Sequence, residues 1–146
     1  MLYIHEKDIA MNTSRCHCIV LRRASKAVTE YYDRMLRPCG VTISQFALLR
    51  TLQRLGSSSV SDLALNMRLE RSTLVRTLRP LLDSGLIADH AAPGTRNRDL
   101  SLTDSGTHVL KQGGRLWDRA QRHVETSLGA EKMELLDSVV RELQQL

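Results

Sequence analysis

Apolar residues recur at three- and four-residue spacings over most of the chain. From Ser14 to Leu36 the series Ile19, Val20, Ala24, Ala27, Val28, Tyr31, Met35 and Leu36 predicts an amphipathic helix, with Arg22, Arg23, Lys26, Glu30 and Asp33 on its other face. Pro38 and Gly40 stop it. Thr42 and Gln45 have capping-box spacing and open a second helix through Phe46, Leu48, Leu49 and Leu52 to Leu55, which Gly56 closes. Ser57–Ser59 reads as a short polar link. A third helix is expected over about Ser61–Met67, with Leu63, Ala64 and Met67 inward. After a turn at Arg68-Leu69-Glu70, a fourth helix begins near Arg71 or Ser72. It carries Leu74, Val75, Leu78, Leu81 and Leu82 and ends at Gly85. Pro80 removes a backbone donor inside it, which predicts a kink.

The period then changes. Leu86-Ile87-Ala88 and the alternation of Leu100 and Leu102 with Ser101 and Thr103 predict two short strands. They flank a polar, breaker-rich loop, Ala92–Asp99. Helical spacing returns from Ser105 to about Leu128, with Gly113-Gly114 as a weak point, and Gly129 breaks it. Glu131–Leu146 forms a last amphipathic helix. The two final helices carry long apolar stripes: Leu116, Ala120, Val124 and Leu128 in one, and Met133, Leu136, Val139, Val140, Leu143 and Leu146 in the other.

Helix, turn, helix and two-stranded hairpin is the order of a winged helix-turn-helix. The fold class is therefore mainly α with a small β-hairpin wing. The expected organisation is an N-terminal arm at 1–12, a first helix at 13–40, a winged helix-turn-helix lobe at 41–106 and C-terminal helices at 107–146. Met1 and Met11 both qualify as the start. At 146 residues the chain suits one domain with appended helices. No apolar run approaches the ~20 residues that span a bilayer, and residues 1–10 lack the features of a secretory signal. Three cysteines do not make a closed disulfide framework, so a reduced, cytoplasmic protein is expected.

Basic residues number 21 against 16 acids, and all but Lys7, Lys26, Lys111 and Lys132 are arginine, which suits phosphate and base-edge contacts. Within residues 60–103 the charges nearly balance, so double-stranded DNA is suggested by placement rather than by excess charge. Ser72, Thr73, Arg76 and Arg79 lie away from the leucines of the fourth helix, and its first turns are where a recognition helix reaches bases. Arg68 and Arg71 flank its start. Arg96 and Arg98 stand two apart on the hairpin arm, which on a strand gives them one face. The plainer alternative is that these arginines solvate a helix and a hairpin.

These segments resemble the MarR family of transcription regulators over about Ser14–Leu146. The resemblance is carried by Val41-Thr42-Ile43-Ser44-Gln45-Phe46, Val60-Ser61-Asp62-Leu63-Ala64, Arg71-Ser72-Thr73-Leu74-Val75-Arg76 and Leu81-Leu82-Asp83-Ser84-Gly85-Leu86-Ile87. The wing matches at Arg96-Asn97-Arg98-Asp99-Leu100-Ser101-Leu102-Thr103-Asp104-Ser105-Gly106. The resemblance implies a homodimer, joined through the first and last two helices, on a pseudo-palindromic operator, usually as a repressor. It also implies release by a small, often aromatic, effector, with Arg22, Tyr31, Tyr32 and Trp117 as candidate lining residues. The alternative for the aromatic residues is a place in the core. The family usually has an Asp two residues before the first wing arginine; that position is Gly94 here.

Cys16-His17-Cys18 opens the first helix. Consecutive helical residues diverge by about 100°, so the run is a poor metal site. A thiol at a helix N-terminus near Arg15 or Arg22 suits redox chemistry better. Cys18 and Tyr32 fall where the organic-hydroperoxide-sensing (OhrR-like) branch of the family has a reactive cysteine and its tyrosine partner. Another tyrosine of that branch is replaced by Arg22. Cys39 is a candidate resolving thiol. The alternative is that all three cysteines are small apolar fillers. No cofactor motif is visible. A thiol-based enzyme and a winged helix used only for protein contacts are the readings from other classes. The first lacks a base facing the thiol, and the second predicts no salt-dependent DNA affinity.

Overall fold

A computed structural model describes residues 16–146. The expected arm, the choice between Met1 and Met11, and the roles given to Ser14 and Arg15 lie outside the described residues. The elements in order are α1 (His17–Leu36), a 3-10 turn (Arg37–Cys39), α2 (Ile43–Leu55), β1 (Ser57–Ser58), α3 (Val60–Met67), α4 (Arg71–Asp83), β2 (Ile87–Asp89), β3 (Leu100–Leu102), α5 (Asp104–Leu128) and α6 (Ala130–Leu143).

The core gathers the apolar positions of α2, α3 and α4 with the start of the sheet. Leu36, Leu48, Leu49, Leu52, Leu63, Leu74 and Leu100 are fully buried, and Phe46 nearly so. Thr42 caps α2 as expected: its hydroxyl accepts from the Gln45 amide at 3.2 Å, and the Gln45 side chain accepts from the Thr42 amide at 2.9 Å. Asp33 on α1 adds a tie between elements, since its Oδ1 accepts from the Ile43 amide at 2.7 Å. A carboxylate at a helix N-terminus is favourable to the helix dipole, and this one fixes α1 against the start of α2.

Two details differ from the sequence reading. The polar link is a strand: Ser57 pairs with Ser101 and Ser58 with Leu100, so the sheet has three antiparallel strands in the order β1-β3-β2. Two serines have no strand propensity or alternation to betray them; the ladder of β3 makes them a strand. Gly113-Gly114 does not interrupt α5. An added Cβ at Gly113 would sit 2.8 Å from the Phe46 ring, so the missing side chain is where α5 meets the core. Gly106 does the same at the start of α5, where a Cβ would meet the Leu86 carbonyl oxygen. Pro80 lies in the last turns of α4, which continues through it to Asp83.

The terminal helices are packed on one side only. No residue of α6 is buried, and Leu135, Leu136, Val139, Val140 and Leu143 are 39–63% exposed. On α1, Ile19, Leu21 and Val28 are 44–49% exposed, and burial begins only at Tyr32.

Candidate nucleic-acid interface

The helix-turn-helix is built by local chemistry. Ser59 caps α3, accepting from the Asp62 amide at 3.1 Å and donating its hydroxyl to Asp62 Oδ2 at 2.7 Å. Arg68 ends α3 in the left-handed region, φ 52°, and the Leu69 amide returns to the Ala64 carbonyl at 2.9 Å. That reversal aims α4 away from α3. Leu74, Leu78 and Leu81 lock the inner side of α4, each no more than 2% exposed. Ser72, Thr73, Arg76 and Arg79 are thereby left exposed on its outer side, together with Arg68 and Arg71 at its start.

Arg71 has an internal partner: its Nη1 donates to Ser61 Oγ at 2.8 Å, tying the starts of α3 and α4 together. Arg79 borders an open groove of about 390 Å³ with Val60, Arg71, Val75, Leu78, Leu82 and Arg98. Three guanidinium groups around an aliphatic floor join the recognition-helix side to the wing. Three positive charges so placed favour an anion such as phosphate.

The wing departs from strand geometry. β3 begins only at Leu100, so Arg96 and Arg98 lie in the loop. The alternation expected to give them one face does not apply. Arg98 is instead placed by Asp89, the last residue of β2: its Nη1 donates to Asp89 Oδ2 at 3.0 Å. Asp89 Oδ1 accepts from the amides of Ala91 at 3.0 Å and Asp99 at 3.1 Å. The Ala91 amide, followed by the Asp99 amide and Arg98, holds the Asp89 carboxyl below its ordinary pKa, and together they outweigh the opposing effect of burial. Arg96 is exposed further out, along a shallow surface with His90, Thr95 and Asn97. The sequence reading missed Asp89. An acid at the end of a short strand, just before an arginine-bearing loop, is the signal that would have found it.

The candidate effector residues do not converge within the chain. Tyr32 is buried, its hydroxyl donates to Gln121 Oε1 at 2.6 Å, and its pKa is raised by burial and by Glu125 and Tyr31. Tyr31 meets Tyr32 edge-on and lies 5.4 Å from the His123 ring, where α1 packs on α5. Trp117 lies elsewhere, with the Arg50 guanidinium 4.7 Å above its ring, beside a groove of about 490 Å³ lined also by Ile43, Phe46, Ala47 and Arg54. Arg22 is exposed on α1 and borders neither cluster. Periodicity gives a helix face but not the lateral distance between two clusters.

Cys16 and Cys18 are exposed at the start of α1. Cys39 packs against the core, and burial pushes its thiol pKa up, which disfavours the thiolate that a resolving role needs. Among the described residues no three His, Cys, Asp or Glu side chains gather as a metal site. No helix there is long and apolar enough to cross a membrane.

Known proteins match this geometry. The MarR family profile matches residues 41–93, from the start of α2 through β2 to the first residues of the wing loop. The transcriptional regulator MosR of M. tuberculosis, solved in complex with DNA, is 30% identical with a TM-score of 0.74, over 90% of this chain and 97% of that one. The HTH-type transcriptional regulator FarR of Neisseria gonorrhoeae is 29% identical over 86% of each chain. BpsR of Bordetella bronchiseptica, solved in a study of how 6-hydroxynicotinic acid regulates its DNA binding, shares the fold at 17% identity and a TM-score of 0.80, over 92% of this chain and 98% of that one. The profile, the whole-chain similarity to MosR and the winged helix itself agree: this chain belongs to the MarR family of DNA-binding transcription regulators.

Proposed function

We propose that the protein works in the cytoplasm as a homodimeric repressor. It occupies a pseudo-palindromic operator and leaves it when a small aromatic effector binds or when a cysteine near the start of α1 is oxidised. The observation that carries this reading is the outer side of α4. Ser72, Thr73, Arg76 and Arg79 are exposed there while Leu74, Leu78 and Leu81 of the same helix are locked in the core. In this reading Ser72, Thr73 and Arg76 read base edges in the major groove, where base pairs are distinguishable. Arg68, Arg71 and Arg79 hold phosphates, and Arg96 and Arg98 reach the backbone or adjacent minor groove.

The half-packed terminal helices support the dimer. The exposed apolar residues of α6 and of the first turns of α1 are a surface that a second copy would bury. Two-fold symmetry then sets two α4 helices against half-sites one DNA turn apart. The groove beside Trp117 and Arg50 supports effector binding, because an aromatic ring and a cation together suit a planar aromatic acid. The exposure of Cys16 and Cys18 supports oxidation as the other trigger.

The test is fluorescence anisotropy of the reduced protein on DNA upstream of its own coding sequence, beside scrambled DNA, with salt varied. Arg76→Ala should cost about 1–3 kcal/mol on the operator and relax specificity. Equal operator binding by wild type and Arg76→Ala would remove Arg76 from the reading surface. Restored free anisotropy on adding a phenolic acid or a hydroperoxide identifies the trigger.

A further inference from the structure

The wing contains an acid, Asp89, against one of the arginines assigned to DNA. A carboxylate there repels phosphate, so it is a liability unless it does something that offsets the repulsion. Asp89 has both oxygens engaged. Oδ1 holds the amides of Ala91 and Asp99, at the exit and return of the wing loop, and Oδ2 holds the Arg98 guanidinium at 3.0 Å. Around it, the His90 amide extends the strand ladder to the Asp99 carbonyl at 2.8 Å, and His90 Nε2 lies 2.7 Å from Ser101 Oγ. The base of the loop is therefore closed by hydrogen bonds, and Asp89 is the group that links that base to an arginine. Arg98 uses one N–H on Asp89 and is still half exposed, with no other partner among the described residues. It borders both the groove shared with Arg71 and Arg79 and the outer surface of the wing shared with Arg96.

We propose that Asp89 is a positioning residue for DNA recognition: it holds Arg98 between the recognition helix and the wing tip. The inference rests on the reading that the wing touches DNA. Asp89 itself makes no contact with DNA. It acts by ordering a long side chain before binding, so that the ordering cost is not met at the interface. Three bonds on a single carboxylate make a firmer hold than an isolated surface ion pair would.

Simple electrostatics and positioning predict opposite signs, which makes the test sharp. Asp89→Asn removes a negative charge near phosphate, so repulsion alone predicts tighter binding to every sequence. Positioning predicts roughly three- to tenfold weaker operator binding, the cost of immobilising one rotamer-rich side chain. Anisotropy titrations of the full chain should compare wild type, Asp89→Asn, Arg98→Ala and the double variant at several salt concentrations, with melting temperatures checked alongside. The expected result is that Arg98→Ala weakens binding, and that Asp89→Asn weakens it in the wild type but changes little once Arg98 is gone. A role confined to folding the hairpin would instead give additive losses, and this would overturn the proposal. So would tighter or unchanged binding by Asp89→Asn when Arg98→Ala is weakened. If Arg98→Ala binds as wild type does, it is the DNA-contacting role of the wing at Arg98 that fails, and the proposal falls with it.

Discussion

Gly113 and Gly114 are neighbours in the same helix, yet alanine should have opposite effects at the two sites. In a helix interior, alanine is favoured over glycine by about 1 kcal/mol. At Gly114 an added Cβ has nothing within 4 Å, so that gain should appear. At Gly113 the Cβ would lie 2.8 Å and 2.9 Å from Cε2 and Cδ2 of Phe46, with Leu36 Cδ2 at 3.6 Å. Carbon atoms in contact prefer about 3.5–4.0 Å. Phe46 is only 2% exposed and packs among core leucines, so its ring can yield only toward the groove beside Trp117. Overpacking of this kind costs about 1–3 kcal/mol. Subtracting the propensity gain leaves Gly113→Ala between neutral and about 2 kcal/mol less stable than wild type. The two variants should therefore differ by about 1–3 kcal/mol. In a chain of this size each kcal/mol moves the melting temperature by roughly 2–4 °C. Thermal unfolding followed by circular dichroism, at one fixed protein concentration because association would shift the midpoint, reads the difference directly. Gly113→Ala melting at or above Gly114→Ala would refute the argument that the α5–Phe46 contact selects glycine.

Further outcomes follow from the exposed helices and from the wing carboxylate. Leu136→Glu or Val140→Glu on α6 should shift the protein from dimer to monomer in sedimentation velocity, with about 1.5–3 kcal/mol of apolar burial lost per site; a wild type that sediments as a monomer would sink the dimer reading. Because the native pKa of Asp89 lies below its unfolded value, its stabilising contribution is fully present above the ordinary carboxylate range and is lost as pH falls through the lower native value. Stability curves of wild type and Asp89→Asn should therefore differ near neutrality and converge in strong acid; a constant offset across that window would contradict the lowered pKa.

Much of the architecture was legible because helices of this length announce themselves by period. The Thr42–Gln45 capping box, the stop at Gly56, the leucines of α4 and the outward set of Ser72, Thr73, Arg76 and Arg79 are all local consequences of sequence spacing. Their burial or exposure follows from the angle between successive side chains, which needs no knowledge of distant residues. The tight reversal at Arg68 was legible as a turn, though not as left-handed backbone.

What tertiary structure alone decided are the meetings between distant segments. Ser57–Ser58 becomes a strand only because β3 arrives beside it, and Gly113 is explained by a phenylalanine 67 positions earlier. The four candidate effector residues share no cluster, since Tyr31 and Tyr32 pack at the α1–α5 crossing and Trp117 packs against Arg50 on α2. The wing arginine that an acid holds is Arg98, and the acid comes from the end of β2, nine positions earlier. Spacing along a chain specifies which residues share a face of one element. Which faces then touch is set by how the elements pack, because side-chain contacts depend on distances in space that a one-dimensional period does not contain.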